Sequence, residues 1–205
     1  LNNSTVKYVV YKESSPIADL KHRLETSVQA YGDNVAFMQK FHKDEPYKSI
    51  TYKEAFETVN ALGTALINAG LKDKRIAVIG ENCYQWATGY LAVICGTGVV
   101  VPLDKELGAS ELGQLIKESQ ASAVMFTEKY TDIFKEIKEN GDSQLEILIK
   151  LNGDKQEENV LTWSGLIAEG KKLLEKGDRR FIDAEIDPDA MSELLFTSGT
   201  TGIAK

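Results

Sequence analysis

Apolar residues along this chain fall into two rhythms, a three-to-four spacing and short continuous runs, and the switching between them predicts the order of elements. Ser15-Pro16 reads as a helix start, with the hydroxyl capping and proline at the first helical position; Ile17, Leu20, Leu24 and Val28 follow at helical spacing and Gly32 closes the element. Val35 to Phe41 and Tyr47 to Ile50 read as two strands joined through Lys43-Asp44-Glu45-Pro46, a hairpin. Thr51 and Glu54 have capping-box spacing, ahead of Ala55, Phe56, Val59, Leu62, Leu66 and Ala69 on one helical face, with Gly70 as the stop.

From Arg75 the pattern becomes strand, helix, strand. Arg75 to Ile79 is a short continuous apolar run, Asn82 is the expected cap of a helix over Cys83 to Cys95, and Val99-Val100-Val101 is a second buried strand. That order makes a βαβ unit with parallel pairing. Ser110 is expected to cap a helix carrying Leu112, Leu115 and Ile116; Ala121 to Phe126 is the next strand, and Thr127 is expected to cap a helix through Lys138. Leu145 to Leu151 is a further strand, Asn152 to Asn159 an exposed loop, and Trp163 to Leu174 an amphipathic helix. The alternation predicts the α/β class: an open, largely parallel sheet with helices on both faces.

The chain ends on its most chemical segment. Leu194-Leu195-Phe196 reads as a short strand opening into Thr197-Ser198-Gly199-Thr200-Thr201-Gly202-Ile203-Ala204-Lys205. Two glycines let backbone N–H groups turn inward and approach an anion closely. Four hydroxyls can donate to phosphate oxygens or face a magnesium ion, and the lysine adds a point charge. The spacing differs from the common GxxxxGK nucleotide loop, since two residues separate Gly199 from Gly202 and the lysine lies outside. Gly96-Thr97-Gly98 ends a helix instead of opening one, so it reads as a helix stop and a close-packing site.

Composition narrows the partners. The chain has 205 residues and a formal net charge of −7, with both signs interspersed, which argues against a nucleic-acid-binding surface and its basic stripe. It does not exclude a nucleotide, for which a few N–H groups and one lysine suffice. Cys83 and Cys95 read as reduced thiols, fitting a cytoplasmic protein. His22 and His42 are isolated, and Asp183 to Asp189 lacks calcium-loop spacing and reads as a solvated linker. Gly89 to Leu103 is too short and too interrupted to span a bilayer, and Leu1 to Ser15 has no signal-peptide core.

Phe196 followed by TSGTTG, one residue, Ala204 and Lys205 resembles the phosphate loop of the adenylate-forming enzymes, the AMP-dependent synthetases and ligases, with Ala204 where the family usually carries proline. Ile50-Thr51-Tyr52-Lys53-Glu54-Ala55 and Ile94-Cys95-Gly96-Thr97-Gly98-Val99-Val100-Val101-Pro102-Leu103-Asp104 resemble two scaffold segments of the same family. The stretch from Gly80 to Asp104 is most like the long-chain fatty acid–CoA ligases. The resemblance implies that residues 1–205 form an N-terminal α/β portion of a larger adenylate-forming enzyme, the rest of the large domain and a small C-terminal domain lying beyond it. It implies activation of a carboxylic acid by ATP to acyl-AMP and pyrophosphate, then transfer to coenzyme A. Thr197, Ser198, Gly199, Thr200, Thr201, Gly202 and Lys205 are the implied phosphate contacts, with Thr200 or Thr201 facing magnesium. No catalytic residue of the family falls on this stretch, so residues 1–205 alone are expected to be inactive. Trp86, Tyr90 and Phe126 read as core. Alternatives from other classes are an adenylation domain that loads an amino or aryl acid onto a carrier protein, and a non-enzymatic α/β binding module.

Overall fold

The computed structural model describes residues 16–42, 44–153 and 157–197. An antiparallel hairpin, β1 (Val35–Gln39) and β2 (Lys48–Thr51), follows helix α1 (Leu20–Tyr31). The main sheet comprises β3 (Arg75–Ile79), β4 (Val99–Pro102), β5 (Ala123–Phe126), β6 (Ile147–Lys150) and β7 (Val160–Thr162), all parallel, in the order β4-β3-β5-β6-β7. The first strand lies inside, the second to one side of it and the rest to the other, which is a doubly wound arrangement.

Helices cover both faces, and the pleat sorts the side chains between them. Ile76, Val78, Val100, Ala123, Met125 and Ile149 join the core under α2 (Tyr52–Asn68), α3 (Tyr84–Ala92) and α6 (Trp163–Glu175). Ala77, Ile79, Val101, Val124, Phe126 and Leu148 join the core under α4 (Ala109–Ser119) and α5 (Thr131–Glu139). Burial from both sides explains why these strands read as continuous apolar runs; every residue of β5 is buried. Helices α2 and α6 pack backbone to backbone, since a Cβ at Gly170 would lie 1.8 Å from the Ala61 carbonyl oxygen.

The capping box forms as expected: Thr51 Oγ1 accepts from the Glu54 amide at 3.2 Å and Glu54 Oε2 accepts from the Thr51 amide at 2.8 Å. The starts of α1, α3 and α4 differ. Helix α1 begins at Leu20, where the Asp19 carboxylate accepts from the His22 amide at 2.8 Å; Pro16 precedes it without helical structure, and Ser15 lies outside the described residues. Ile17 is exposed, so the first turn of the expected helix has nothing to pack against. Helix α3 is capped by Cys83, whose extended backbone lets Sγ accept from the Trp86 amide, and not by Asn82. Helix α4 is capped at Gly108, whose amide donates to Glu111 Oε2 at 3.0 Å, so Ser110 lies inside it.

Helix α3 also stops short of Cys95. Val93–Thr97 forms a π-helical turn, with Thr97 Oγ1 donating to the Ala92 carbonyl at 2.8 Å and Gly96 at φ +149°. A Cβ at Gly98 would lie 2.1 Å from the Lys74 carbonyl, so this glycine pair is the close-packing site expected of it. Strand β7 was not anticipated: three residues at the end of a polar stretch are too short to show a period.

Candidate functional site

The loop approach is built at the free side of β4. Val100 donates its amide to the Ser192 carbonyl at 3.0 Å, and the Leu194 amide donates to the Val100 carbonyl at 2.9 Å, a single parallel bridge between Val100 and Glu193. Alternation then takes over. Leu194 and Phe196 are half-buried against the α4/α5 core, while Leu195 is 58% exposed. The expected strand is therefore a short edge segment held at one point. Because it runs parallel to β4, it carries Thr197, which is exposed, towards the carboxyl end of the sheet. Ser198, Gly199, Thr200, Thr201, Gly202 and Lys205 lie outside the described residues.

The carboxyl ends of the strands are where doubly wound sheets bind ligands, and here they carry polar groups that the sequence reading left unassigned. Gly80 at the end of β3 has φ +147°, and a Cβ there would lie 2.5 Å from Thr127 Cγ2, so the β3 and β5 ends approach closely. Thr127 Oγ1 donates to Glu81 Oε2 at 2.8 Å and Lys129 Nζ lies 2.5 Å from Glu81 Oε1. Thr127 therefore ties two strand ends together; a 3-10 turn, Glu128–Tyr130, stands between it and α5. Lys129, then Thr127, pull the Glu81 carboxyl down to about 2.

At the end of β6, Lys150 is 1% exposed, with Nζ 3.4 Å from Glu157 Oε1 and 3.6 Å from Glu128 Oε1. Glu157 also pairs with Lys135, whose ammonium is the main reason its carboxyl lies below the usual range. The stretch after β6 is thus partly pulled inward at Glu157, although Glu158 and Asn159 are exposed as expected. A cavity of about 390 Å³ opens beside this cluster, lined by Phe41, Gln85, Lys150 and Trp163 among others.

The aromatic residues behave as packing groups. Phe126 is fully buried, and Trp86 and Tyr90 stack at 5.5 Å and 14° while leaning on the core. Burial, then Glu193, pushes the Tyr90 hydroxyl up to about 12. Cys83 and Cys95 are free, and burial pushes the Cys95 thiol up to about 12. Among the described residues no three His, Cys, Asp or Glu side chains converge to hold a metal ion. Thr197, exposed at the carboxyl end of the sheet, fits a polyphosphate by its place and its donor chemistry.

One functional candidate had escaped the sequence reading altogether. Lys21 is 9% exposed, and its ammonium donates to the carbonyls of Phe181 (3.0 Å), Ile182 (2.7 Å) and Ala184 (2.7 Å). Burial pushes the Lys21 ammonium below the usual lysine range, with Glu25 the first of the charges opposing the shift. The available signal was positional: Lys21 lies three and seven residues before Leu24 and Val28, on the stripe that α1 turns inward.

Known proteins give the same frame. A chloroplastic long-chain-fatty-acid–[acyl-carrier-protein] ligase of Arabidopsis thaliana is 28% identical over 195 residues, covering 88% of this chain and 26% of that protein. Long chain acyl-CoA synthetase 4 of the same plant is 28% identical over 187 residues, covering 87% of this chain and 28% of that protein. The chain thus spans about a quarter of the length of these relatives. The crystal structure of a long-chain-fatty-acid-CoA ligase from Archaeoglobus fulgidus superposes with a TM-score of 0.73 at 19% identity, over 95% of this chain and 38% of that one, which establishes a shared fold. No helix among the described residues is long and apolar enough to cross a membrane. The AMP-binding enzyme family matches residues 24–205, and the chain belongs to that family.

Proposed function

We propose that this chain is the N-terminal α/β portion of an acyl-CoA synthetase that activates a carboxylic acid, fatty in class, with ATP and passes the acyl group to coenzyme A. The observation that carries the reading is the docking of residues 192–194 beside β4, which directs Thr197, the first residue of the glycine-rich string, towards the carboxyl end of a doubly wound sheet. In the first step a carboxylate oxygen bonds to the α-phosphorus of ATP as the bond to the bridging oxygen breaks and pyrophosphate leaves. In the second the thiol sulfur bonds to the acyl carbon and AMP leaves, the thiol proton passing to solvent.

The obstacle in the first step is the approach of one anion to another. The N–H groups around Gly199 and Gly202, the hydroxyls of Thr197, Ser198, Thr200 and Thr201, and the Lys205 ammonium hold the β- and γ-phosphates and stabilise the leaving pyrophosphate. A magnesium ion, when bound, shields the same charge. Neither bond change is assigned to a side chain of residues 16–197, and residues 1–205 by themselves should release no pyrophosphate.

A second acceptor is favoured by one relative, the acyl-carrier-protein ligase of Arabidopsis thaliana. Both readings are separated by pyrophosphate release from the full-length protein with ATP, magnesium and acids of graded chain length, with and without coenzyme A. Release with long acids and a thioester on coenzyme A is the expected result. Release without that thioester moves the acceptor to a carrier protein. Silence with every acid, from folded protein, leaves a non-enzymatic binding module.

A further inference from the structure

Between the turn after α6 and the edge bridge, the chain crosses residues 177–191, of which Phe181 is the one buried residue. Its ring fills the space over two glycines, since a Cβ at Gly63 would lie 2.2 Å from it and a Cβ at Gly96 3.3 Å. Over this anchor stands Lys21, from an element some 160 residues earlier, with Nζ 5.8 Å from the ring centroid. An ammonium has three protons, and the carbonyls of Phe181, Ile182 and Ala184 receive all three. Packing alone does not call for a charge at this place. A methionine would fill the same volume without the cost of desolvating a cation. What the ammonium adds is a fixed backbone path for residues 181–184.

We propose that Lys21 is a positioning residue for the phosphate loop: its ammonium clamps the 181–184 backbone and so sets the register in which residues 192–197 pass beside β4. The clamp rests on the functional reading above only for what it positions. The bridge it supports is weak by itself, two backbone bonds at a sheet edge. Pinning residues 181–184 shortens the free connection to residues 185–191, which lowers the entropy lost when the bridge closes. The Gly96 turn that receives Phe181 also leads directly into β4, so both partners of the bridge are referred to one anchor.

The test uses the full-length protein and two substitutions. Lys21→Met keeps the aliphatic stem and removes the donors; Lys21→Ala leaves room for methylammonium. Amide exchange at Val100 and Leu194 is expected to quicken about tenfold in both, with β5 and β6 unchanged. KM for ATP is expected to rise about tenfold while KM for the acid stays within about twofold, and methylammonium should restore both readouts in Lys21→Ala. Lys117→Ala is the control, since Lys117 is exposed on α4, which covers the face of the sheet opposite to Phe181; it should behave as wild type.

Unchanged exchange at Val100 and Leu194 overturns the clamp. So does a fall in kcat with both KM values moving together, or Lys117→Ala matching the Lys21 variants, because each describes general loosening. Should Lys21→Ala fail to fold, Lys21→Met carries the measurement. If the wild-type protein releases no pyrophosphate, the functional reading fails and the exchange rates still decide the clamp.

Discussion

At one edge of the sheet β7 pairs with β6 over Val160, Leu161 and Thr162 and runs straight into α6; at the other, residues 192–194 meet β4 through a single bridge. The first edge is reinforced from several sides. Helix α6 seats Gly170 on the Ala61 carbonyl of α2, and the buried Lys150 joins Glu128 and Glu157 beneath the connection to β7. The second edge has two hydrogen bonds, two half-buried side chains and a remote anchor at Phe181 and Lys21. Segments that must receive and release a ligand come from the less stable part of a structure. The contrast places the rigid edge away from the proposed phosphate loop and the adjustable one next to it.

The strongest way to break the contrast is Phe181→Ala. Removing a fully buried ring that fills the space over Gly63 and Gly96 should cost about 4 kcal/mol in urea unfolding. If the loop edge depends on this anchor, exchange at Leu194 should quicken by more than the global loss accounts for. Equal quickening everywhere would show that the two edges are not separately held.

Gly170→Ala attacks the opposite edge. The added methyl meets backbone, which cannot rotate away, and the expected loss is about 3 kcal/mol. Exchange at the β7 amides should rise most, while the Val100 amide should follow only the global change. A loss under about 1 kcal/mol would mean that α2 and α6 slide apart easily and that this edge is softer than its contacts imply.

The smallest effect belongs to the tie between the ends of the inner strands β3 and β5, where Glu81 meets Thr127 and Lys129. A carboxyl held down at about 2, against 4.5 ordinarily, contributes stability that is complete above about 4.5 and disappears as the pH falls through about 2. Both side chains of the pair are about half exposed, so the contribution is modest. Glu81→Gln should flatten the acid limb of the stability curve between those values and converge with wild type at its lower end. An unaltered acid limb would remove this tie from the account.

Much of the architecture was legible because burial writes a local period. The continuous apolar runs of β3 to β6 marked a two-sided sheet, and the Thr51–Glu54 capping box marked the start of α2 to the residue. Cap assignments elsewhere were off by one to a few residues, because Asp19, Cys83 and Gly108 compete with nearby polar residues and only the path of the incoming chain selects among them. Thr127 has the right chemistry for a cap, yet its hydroxyl is taken by Glu81, a partner 46 residues away in sequence.

The parallel α/β class and the order of its helices and strands, β7 excepted, were determined by sequence alone, since periodicity and capping are properties of neighbouring residues. The tertiary structure decided the rest: that Lys21 spends its charge on the carbonyls of Phe181, Ile182 and Ala184, that Gly63 and Gly96 are the floor beneath one ring, and that residues 192–194 lie beside β4. These pairings join positions far apart in the chain. A long-range contact forms only when the topology brings its partners together, and no local pattern records which partners those will be.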